Sequence, residues 1–281
     1  MNLFVFGLGY SAQHFIARHA QGIAHVSGTV RTPEKVRALS QSDLPVDALL
    51  FDDRAQIEAR LHEADAVLVS IAPDNGDAAL RLYRDAIVAA PNLTRIVYLS
   101  TIGVYGDHGG AWIDETAPLR PVSNRNRARV DAENEWLALA TETRRVFVLR
   151  LAGIYGPGRN QIEKLREGTA RRIVKEGQVF NRIHVEDISR TIGACLATNV
   201  SGGVFNVTDD EPAPPQDVVT YGAELLGIDP PPEVPFVQAD FSPMALSFWG
   251  QNKRVANRRL REDLKVELAC PTYREGLRSL L

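Results

Sequence analysis

The segment Gly7-Leu8-Gly9-Tyr10-Ser11-Ala12 has the G-x-G-x-x-G/A spacing, between a short apolar run and a helix-length stretch. In that setting Gly7 permits a tight turn, and Gly9 lets backbone approach a pyrophosphate. Ala12 is small enough for close packing of helix on strand. A helix opening at Tyr10 and Ser11 offers unpaired N–H groups and a partial positive charge to an anion. The segment therefore predicts a dinucleotide site. The next apolar run ends Gly28-Thr29-Val30-Arg31-Thr32, with no acid at its tip. An acid there would bind a ribose 2′-hydroxyl, whereas arginine accommodates a 2′-phosphate. Arg31, helped by Thr32, favours NADP, with NAD still open. Asp52 either meets the adenine amino group or, with Asp53, caps the following helix. Ser70-Ile71-Ala72 ends the fourth run, where backbone would pass beside the cofactor's phosphates and ribose.

A second set of residues offers acid, base and oxygen-binding chemistry. Ser100 and Thr101 end the fifth apolar run, and hydroxyls at a strand's carboxyl end face the crevice where open parallel sheets bind ligands. Tyr105 and Tyr155 follow the fifth and sixth runs. Each either donates a proton or packs in its aromatic-glycine turn. Ser123-Asn124-Arg125-Asn126-Arg127-Ala128-Arg129 contains no tyrosine. Arg125 and Arg127 either bind an anionic substrate or begin a solvated helix, and Arg129 suits a ribose or phosphate. None of these arginines can shuttle a proton at neutral pH. His184 has a convenient pKa but sits in a His-Val-Glu-Asp loop, which makes it a weak acid/base candidate. The two cysteines lack metal-site spacing, and no metal is expected.

These residues need a frame. Apolar runs at 3–6, 25–30, 48–51, 66–70, 95–100 and 146–151 alternate with helical segments at 11–20, 33–39, 77–90 and 128–140. Strands apolar on both faces and separated by helices predict an α/β fold, a doubly wound parallel (Rossmann) sheet. Residues 1–156 make the dinucleotide-binding part, and 157–281 a smaller, partly helical C-terminal lobe. The two interleave, because parts of 180–208 (the short runs holding His184 and Asn206) return to the main sheet. Residues 160–176 read as charged and helical, with 163–172 a solvated helix, and the proline-dense 212–215 and 230–235 as loops. Phe241, Phe248 and Trp249 line either a pocket or a subunit contact. Lys253, Arg254, Arg258 and Arg259 form a basic cluster suited to a diphosphate or to packing of their stems.

Composition narrows the classes. The 281 residues allow one large domain or two ordinary ones. Against 35 acidic side chains stand 32 Lys and Arg, giving −3, which argues against a broad grip on nucleic acid or membrane. No run is long and apolar enough to span a bilayer, and the start does not read as a signal peptide. A cytoplasmic protein is expected. Cys195 and Cys270 fit a reducing compartment or a single bridge.

The glycine turn occurs together with four other stretches: Ser100 to Gly106, Leu149 to Gly158, His184-Val185-Glu186-Asp187, and Gly203-Val204-Phe205-Asn206-Val207. As a set they resemble the extended short-chain dehydrogenase/reductase family of the nucleotide-sugar epimerase/dehydratase type. The resemblance implies that Thr101 binds the substrate hydroxyl or carbonyl. It also implies a tyrosine that exchanges the proton, and a lysine four residues on that lowers the tyrosine's pKa and holds the nicotinamide ribose. Counting back from Glu133, Arg125 and Arg129 stand in those places. The chain thus resembles atypical members without the Tyr-x-x-x-Lys pair. This likeness implies an NAD(P)-binding oxidoreductase for a small polar substrate, anionic, sugar or nucleotide-sugar, working as a homodimer. The alternative is an NADP-binding sensor or scaffold without turnover.

Overall fold

The computed structural model describes residues 1–281. Five strands fill the first hundred residues: β1 (Asn2–Phe6), β2 (His25–Val30), β3 (Asp47–Leu50), β4 (Ala66–Val69) and β5 (Arg95–Thr101). Between them run α1 (Tyr10–His19), α2 (Pro33–Ser40), α3 (Arg54–Glu63) and α4 (Ala78–Ala89). After a short strand, β6 (Trp112–Ile113), α5 (Asn124–Leu137) leads into β7 (Arg145–Leu151). Further on come β8 (Gly153–Tyr155), α6 (Gln161–Arg166), β9 (Arg172–Val174), β10 (Arg182–His184), α7 (Val185–Ala197) and β11 (Gly203–Val207). Seven parallel strands form one sheet in the order β11-β7-β5-β4-β1-β2-β3. The order reverses beside β1, and the crevice outside the carboxyl ends at such a reversal is where this architecture takes ligands.

Alternation along each strand feeds two cores. Leu3, Val5, Val97, Leu99, Phe147 and Leu149 face one layer, with Phe15 of α1 and Ile188 and Ile192 of α7. Phe4, Phe6, Ile96, Tyr98, Val146 and Val148 face the other, with Ile57, Leu61, Tyr83, Ile87 and Trp136 of α3, α4 and α5. Side chains that alternate with period two, both sets apolar, can be satisfied only by helices on both faces. Asp77 ties two of those helices together. Its Oδ1 accepts the Ala79 and Leu80 N–H groups at 3.0 Å, capping α4, while Oδ2 accepts the Trp136 indole N–H at 2.9 Å.

The second half departs from the sequence expectation in two places. Residues 160–176 are helical only over α6, and β9 then turns back to pair with β12 (Glu233–Pro235), inside the stretch read as a proline loop. Of the two strands expected to rejoin the main sheet, β11 does so, but β10 pairs with β8 in a separate two-stranded ribbon. The change falls between two residues: Ala152 N–H still bonds to Val207 O of β11, whereas Gly153 N–H bonds to Asn181 O, next to β10. In the first half, α3 is the helix that follows Asp52-Asp53, and it forms over a polar segment in which only Ile57 and Leu61, one turn apart, are buried. The rest of the lobe consists of α8 (Pro215–Leu226), α9 (Pro243–Trp249), β13 (Arg254–Val255), α10 (Arg258–Glu262) and α11 (Tyr273–Arg278). Ile162, Val218, Tyr273 and Leu277 give it a small core of its own, whereas Leu260, Leu264 and Val266 join the main core. Cys195 and Cys270 are buried free thiols. No helix is long and apolar enough to cross a membrane.

Candidate active site

The glycine turn makes a cradle at the start of α1. Gly7 has φ +92°, and a Cβ there would stand 2.5 Å from the Ile71 Cγ2 methyl. The turn is fixed from behind: Leu8 N–H donates to Thr29 O at 2.9 Å, and Gly7 N–H to Thr29 Oγ1 at 3.0 Å. Leu8 itself points into the core, so only its backbone serves the cradle. No side chain caps α1, unlike α2 to α7, each of which has a capping side chain. The N–H groups of Tyr10, Ser11 and Ala12 have no intrahelical acceptor and are left for an anion. Tyr10 Oη donates to Pro157 O at 2.9 Å, joining the turn to the 156–158 loop.

Around the cradle, the expected cofactor residues divide. Ser11 and Ser70 line the cleft. Ile71 packs against Gly7, and Ala72 is exposed beside it. Arg31 lies exposed past the end of β2. Thr32 caps α2 through Lys35 N–H, and Asp53 caps α3 through Gln56 N–H, which leaves Asp52 exposed.

A cleft of about 990 Å³ continues from the cradle over the carboxyl ends of β5 and β7 and under the lobe. Its polar lining has one sign. Arg129, Arg159, Lys164, Arg171, Arg182 and Lys253 all face it, and no Asp or Glu does. None of the six has a carboxylate within ion-pair distance. Asp209 acts on Arg182 from off the cleft wall, and burial pushes that carboxyl well above its usual range while Arg182 opposes the shift. Clefts of one sign with low-dielectric walls concentrate the opposite charge.

Beneath the cleft floor lies a buried polar chain. Glu133 is 2% exposed and Arg150 5%. Arg150 Nη2 meets Glu133 Oε2 at 2.7 Å, and its Nε reaches both carboxylate oxygens at 3.2 and 3.1 Å. Ser100 Oγ donates to Glu133 Oε1 at 2.5 Å. Arg150 Nη1 donates to Tyr105 Oη at 2.9 Å, and that hydroxyl donates to Asn206 Oδ1 at 2.7 Å. Burial works against the Arg150 charge, but Glu133 outweighs it and holds the guanidinium protonated.

A model of the NAD dependent epimerase/dehydratase family matches residues 9–208. This chain belongs to that family. Protein YeeZ of Escherichia coli K12 is 31% identical over 220 residues, covering 73% of this chain and 77% of YeeZ. The structure of a conserved protein of unknown function from Silicibacter pomeroyi is 46% identical, with a TM-score of 0.89 and coverage of 99% of this chain and 97% of that one. The human epimerase family protein SDR39U1, solved with NADPH, shares the fold with a TM-score of 0.78 at 20% identity, covering 100% and 99% of the two chains.

Within this epimerase/dehydratase member, the side chains expected to do chemistry are not brought to one point. Thr101 reaches the cleft with its oxygen accepting Gly103 N–H at 3.1 Å, so its own proton is free to donate. Ser100 is committed to Glu133. Tyr105 is turned away from the cleft into the Arg150–Asn206 pair, and burial, partly countered by Arg150, raises its phenol. It is not placed to exchange a proton with a ligand. Tyr155 lines the wall with its ring, but its hydroxyl abuts Gly276 and burial raises it far above the ordinary phenol range. His184 is buried with Nδ1 accepting Glu186 N–H, and burial lowers its pKa to about 4, which leaves it neutral.

The arginines also separate. Arg129 lies on the floor, with Nη1 donating to Leu99 O at 2.6 Å and Tyr98 Oη at 3.2 Å. Arg125 sits at the rim, 5.6 Å from the Phe248 ring centroid. Arg127 is exposed and tied to Pro121 O and Asn124 Oδ1, away from the cleft. The basic cluster read at 253–259 does not exist as a unit. Arg254 turns to Gly110 O, Arg259 stacks on Phe205, and only Lys253 enters the cleft. Of the missed cations, Lys164 and Arg171 lie in the stretch read as a solvated helix, and Arg159 lies just before it. A usable signal was Glu163, which is drawn off by Gly158 N–H and Asn160, so its basic neighbours are left unpaired.

Proposed function

We propose that this chain is an NADP-dependent oxidoreductase acting on a small anionic polar substrate, a sugar acid or sugar phosphate being the type that fits. The observation that carries the reading is the cleft with six unpaired cations and no carboxylate. The cradle fits the cofactor: Gly7 and Gly9 leave room for a pyrophosphate, the free N–H groups of Tyr10 to Ala12 bind it, and Ser70 and Ile71 flank it. Arg31 and Thr32 take the 2′-phosphate. When bound, the cofactor supplies or accepts a hydride. Thr101 donates to the reacting oxygen, Arg129 fixes negative charge on the floor, and the outer cations orient the substrate's anionic group.

Stereospecific transfer of deuterium from C4-labelled NADPH to glyoxylate, pyruvate or glyceraldehyde 3-phosphate, followed by mass spectrometry, tests the reading. Tight NADPH binding with no transfer to any of them replaces it with the sensor reading, which the absence of tyrosine at Arg125 favours. Arg31→Ala tests the cofactor preference. Losing one charge-assisted phosphate contact weakens NADPH by about 10- to 100-fold and leaves NADH within about 3-fold. Equal losses for both cofactors in a fluorescence titration remove Arg31 from the 2′-phosphate.

A further inference from the structure

Lys253 is placed with unusual care for a lysine. It is 5% exposed, yet it lines the cleft. Its backbone is clamped by Asn181, whose Nδ2 donates to Lys253 O at 3.0 Å and whose Oδ1 accepts Val255 N–H at 2.8 Å. Its Nζ donates to Gly106 O at 2.7 Å and to Gln251 Oε1 at 3.1 Å. An ammonium has three N–H donors, so the third has no partner in the chain. Gly106 ends the turn Ile102–Tyr105 that continues directly from Thr101. The amine and the Thr101 hydroxyl are thus held by the two ends of one short segment.

The surroundings do not explain the lysine as packing. A buried cation is costly unless paired, and no carboxylate pairs with Lys253. Asp107 acts on it from the loop after Tyr105, with its own carboxylate accepting Asn252 N–H at 2.7 Å and Gly109 N–H at 3.3 Å. His108 on the same loop is bound to Tyr105 O. Arg254 points to Gly110 O, and Arg182, beside Asn181 on the lobe side, points to Phe180 O and Ala213 O. Burial lowers the Lys253 pKa to about 8, with Asp107 only partly opposing. An amine titrating near neutrality is suited to proton exchange, where the arginines at positions 125 and 129 are not.

We propose that Lys253 is the proton donor and acceptor of this site, acting on the substrate oxygen that Thr101 holds. The proposal rests on the oxidoreductase reading above. In reduction the carbonyl carbon gains a hydride, the C–O π pair moves onto oxygen, and that oxygen takes a proton from Nζ. Solvent then reprotonates the amine. In the reverse direction neutral Nζ takes the hydroxyl proton as the hydride leaves carbon.

Two measurements test it. The first needs no substrate: limiting acetic anhydride is applied to the intact protein from about pH 7 to pH 11, and labelled peptides are quantified by mass spectrometry. Lys253 is expected to label with a midpoint near pH 8, as its burial dictates, and NADPH is expected to slow the labelling. A midpoint above about pH 10, or no labelling of the folded protein, overturns the proposal. The second follows deuterium transfer to the same three carbonyl compounds in Lys253→Met and Lys253→Arg. The arginine variant keeps the cation and its donors but cannot release a proton, so it is the variant that separates charge from proton transfer. Both are expected to lose transfer by about 100-fold or more while binding NADPH within about 3-fold of the unaltered protein. Near-normal transfer in Lys253→Arg overturns Lys253 alone. No transfer by the unaltered protein overturns the oxidoreductase reading and this assignment with it.

Discussion

Glu133→Ala is expected to cost about 3–5 kcal/mol of folding stability, a large fraction of what holds an ordinary domain folded. The mutation strands a guanidinium that is 5% exposed, and it removes the acceptor of the Ser100 hydroxyl. Arg150 lies beneath the cleft floor and does not line it, so its guanidinium has no ready route to water. The cost is chiefly that of leaving a charge buried and unpaired, so the size of the effect does not measure what the pair contributes. Removing both charges distinguishes the two. Glu133→Leu with Arg150→Met is expected to be far less damaging than Glu133→Ala, because well-packed apolar pairs often equal buried ion pairs. The residual loss would report Tyr105, whose hydroxyl then keeps only Asn206. Urea unfolding at unchanged m-value reads both. A single mutant within about 1 kcal/mol of the parent contradicts the buried-pair account.

That chain of residues also marks where sequence reasoning stops. The sheet was legible because β1, β4 and β5 are apolar on both faces, which calls for a parallel sheet covered on both sides. The cradle was legible because its glycines are adjacent in sequence. Glu133, Arg150 and Asn206 lie far apart along the chain, and each alone looks like an ordinary polar residue in a helix or strand. The registers of β5 and β11 with β7, which set Ser100 and Asn206 on either side of Arg150, bring the chain together. The cleft cations failed for a related reason. A basic run such as 164–172 looks solvated until the partners of its acids are known, and Lys253 was inseparable from Arg254 until β13 paired with β6 and set the two side chains on opposite courses. Between proton donor and packing the sequence left the tyrosines open, because the burial that raises each phenol's pKa comes from elements distant in sequence.

The cradle makes the other large prediction. Gly7→Ala is expected to weaken NADPH binding by about 100-fold, since the pyrophosphate site is backbone that must keep its shape. Two effects combine at this position, and Gly76 separates them. Gly7 and Gly76 have nearly the same φ, +92° and +93°, but a Cβ at Gly76 meets nothing within 4 Å, whereas one at Gly7 meets the Ile71 methyl at 2.5 Å and Ile71 N at 3.3 Å. Gly76→Ala therefore carries backbone strain alone, about 1–2 kcal/mol, and leaves cofactor affinity unchanged. Gly7→Ala carries the same strain plus the close approach, which pushes the turn off Thr29 or pushes β4's end away. Because Ile71→Ala removes the β-branch methyl but leaves Ile71 N in place, that change in the Gly7→Ala background should restore part of the stability but little of the affinity. Isothermal titration beside thermal unfolding of the three variants checks this. Full recovery of NADPH binding in the double variant would show that the methyl contact, and not the turn's own conformation, sets the site.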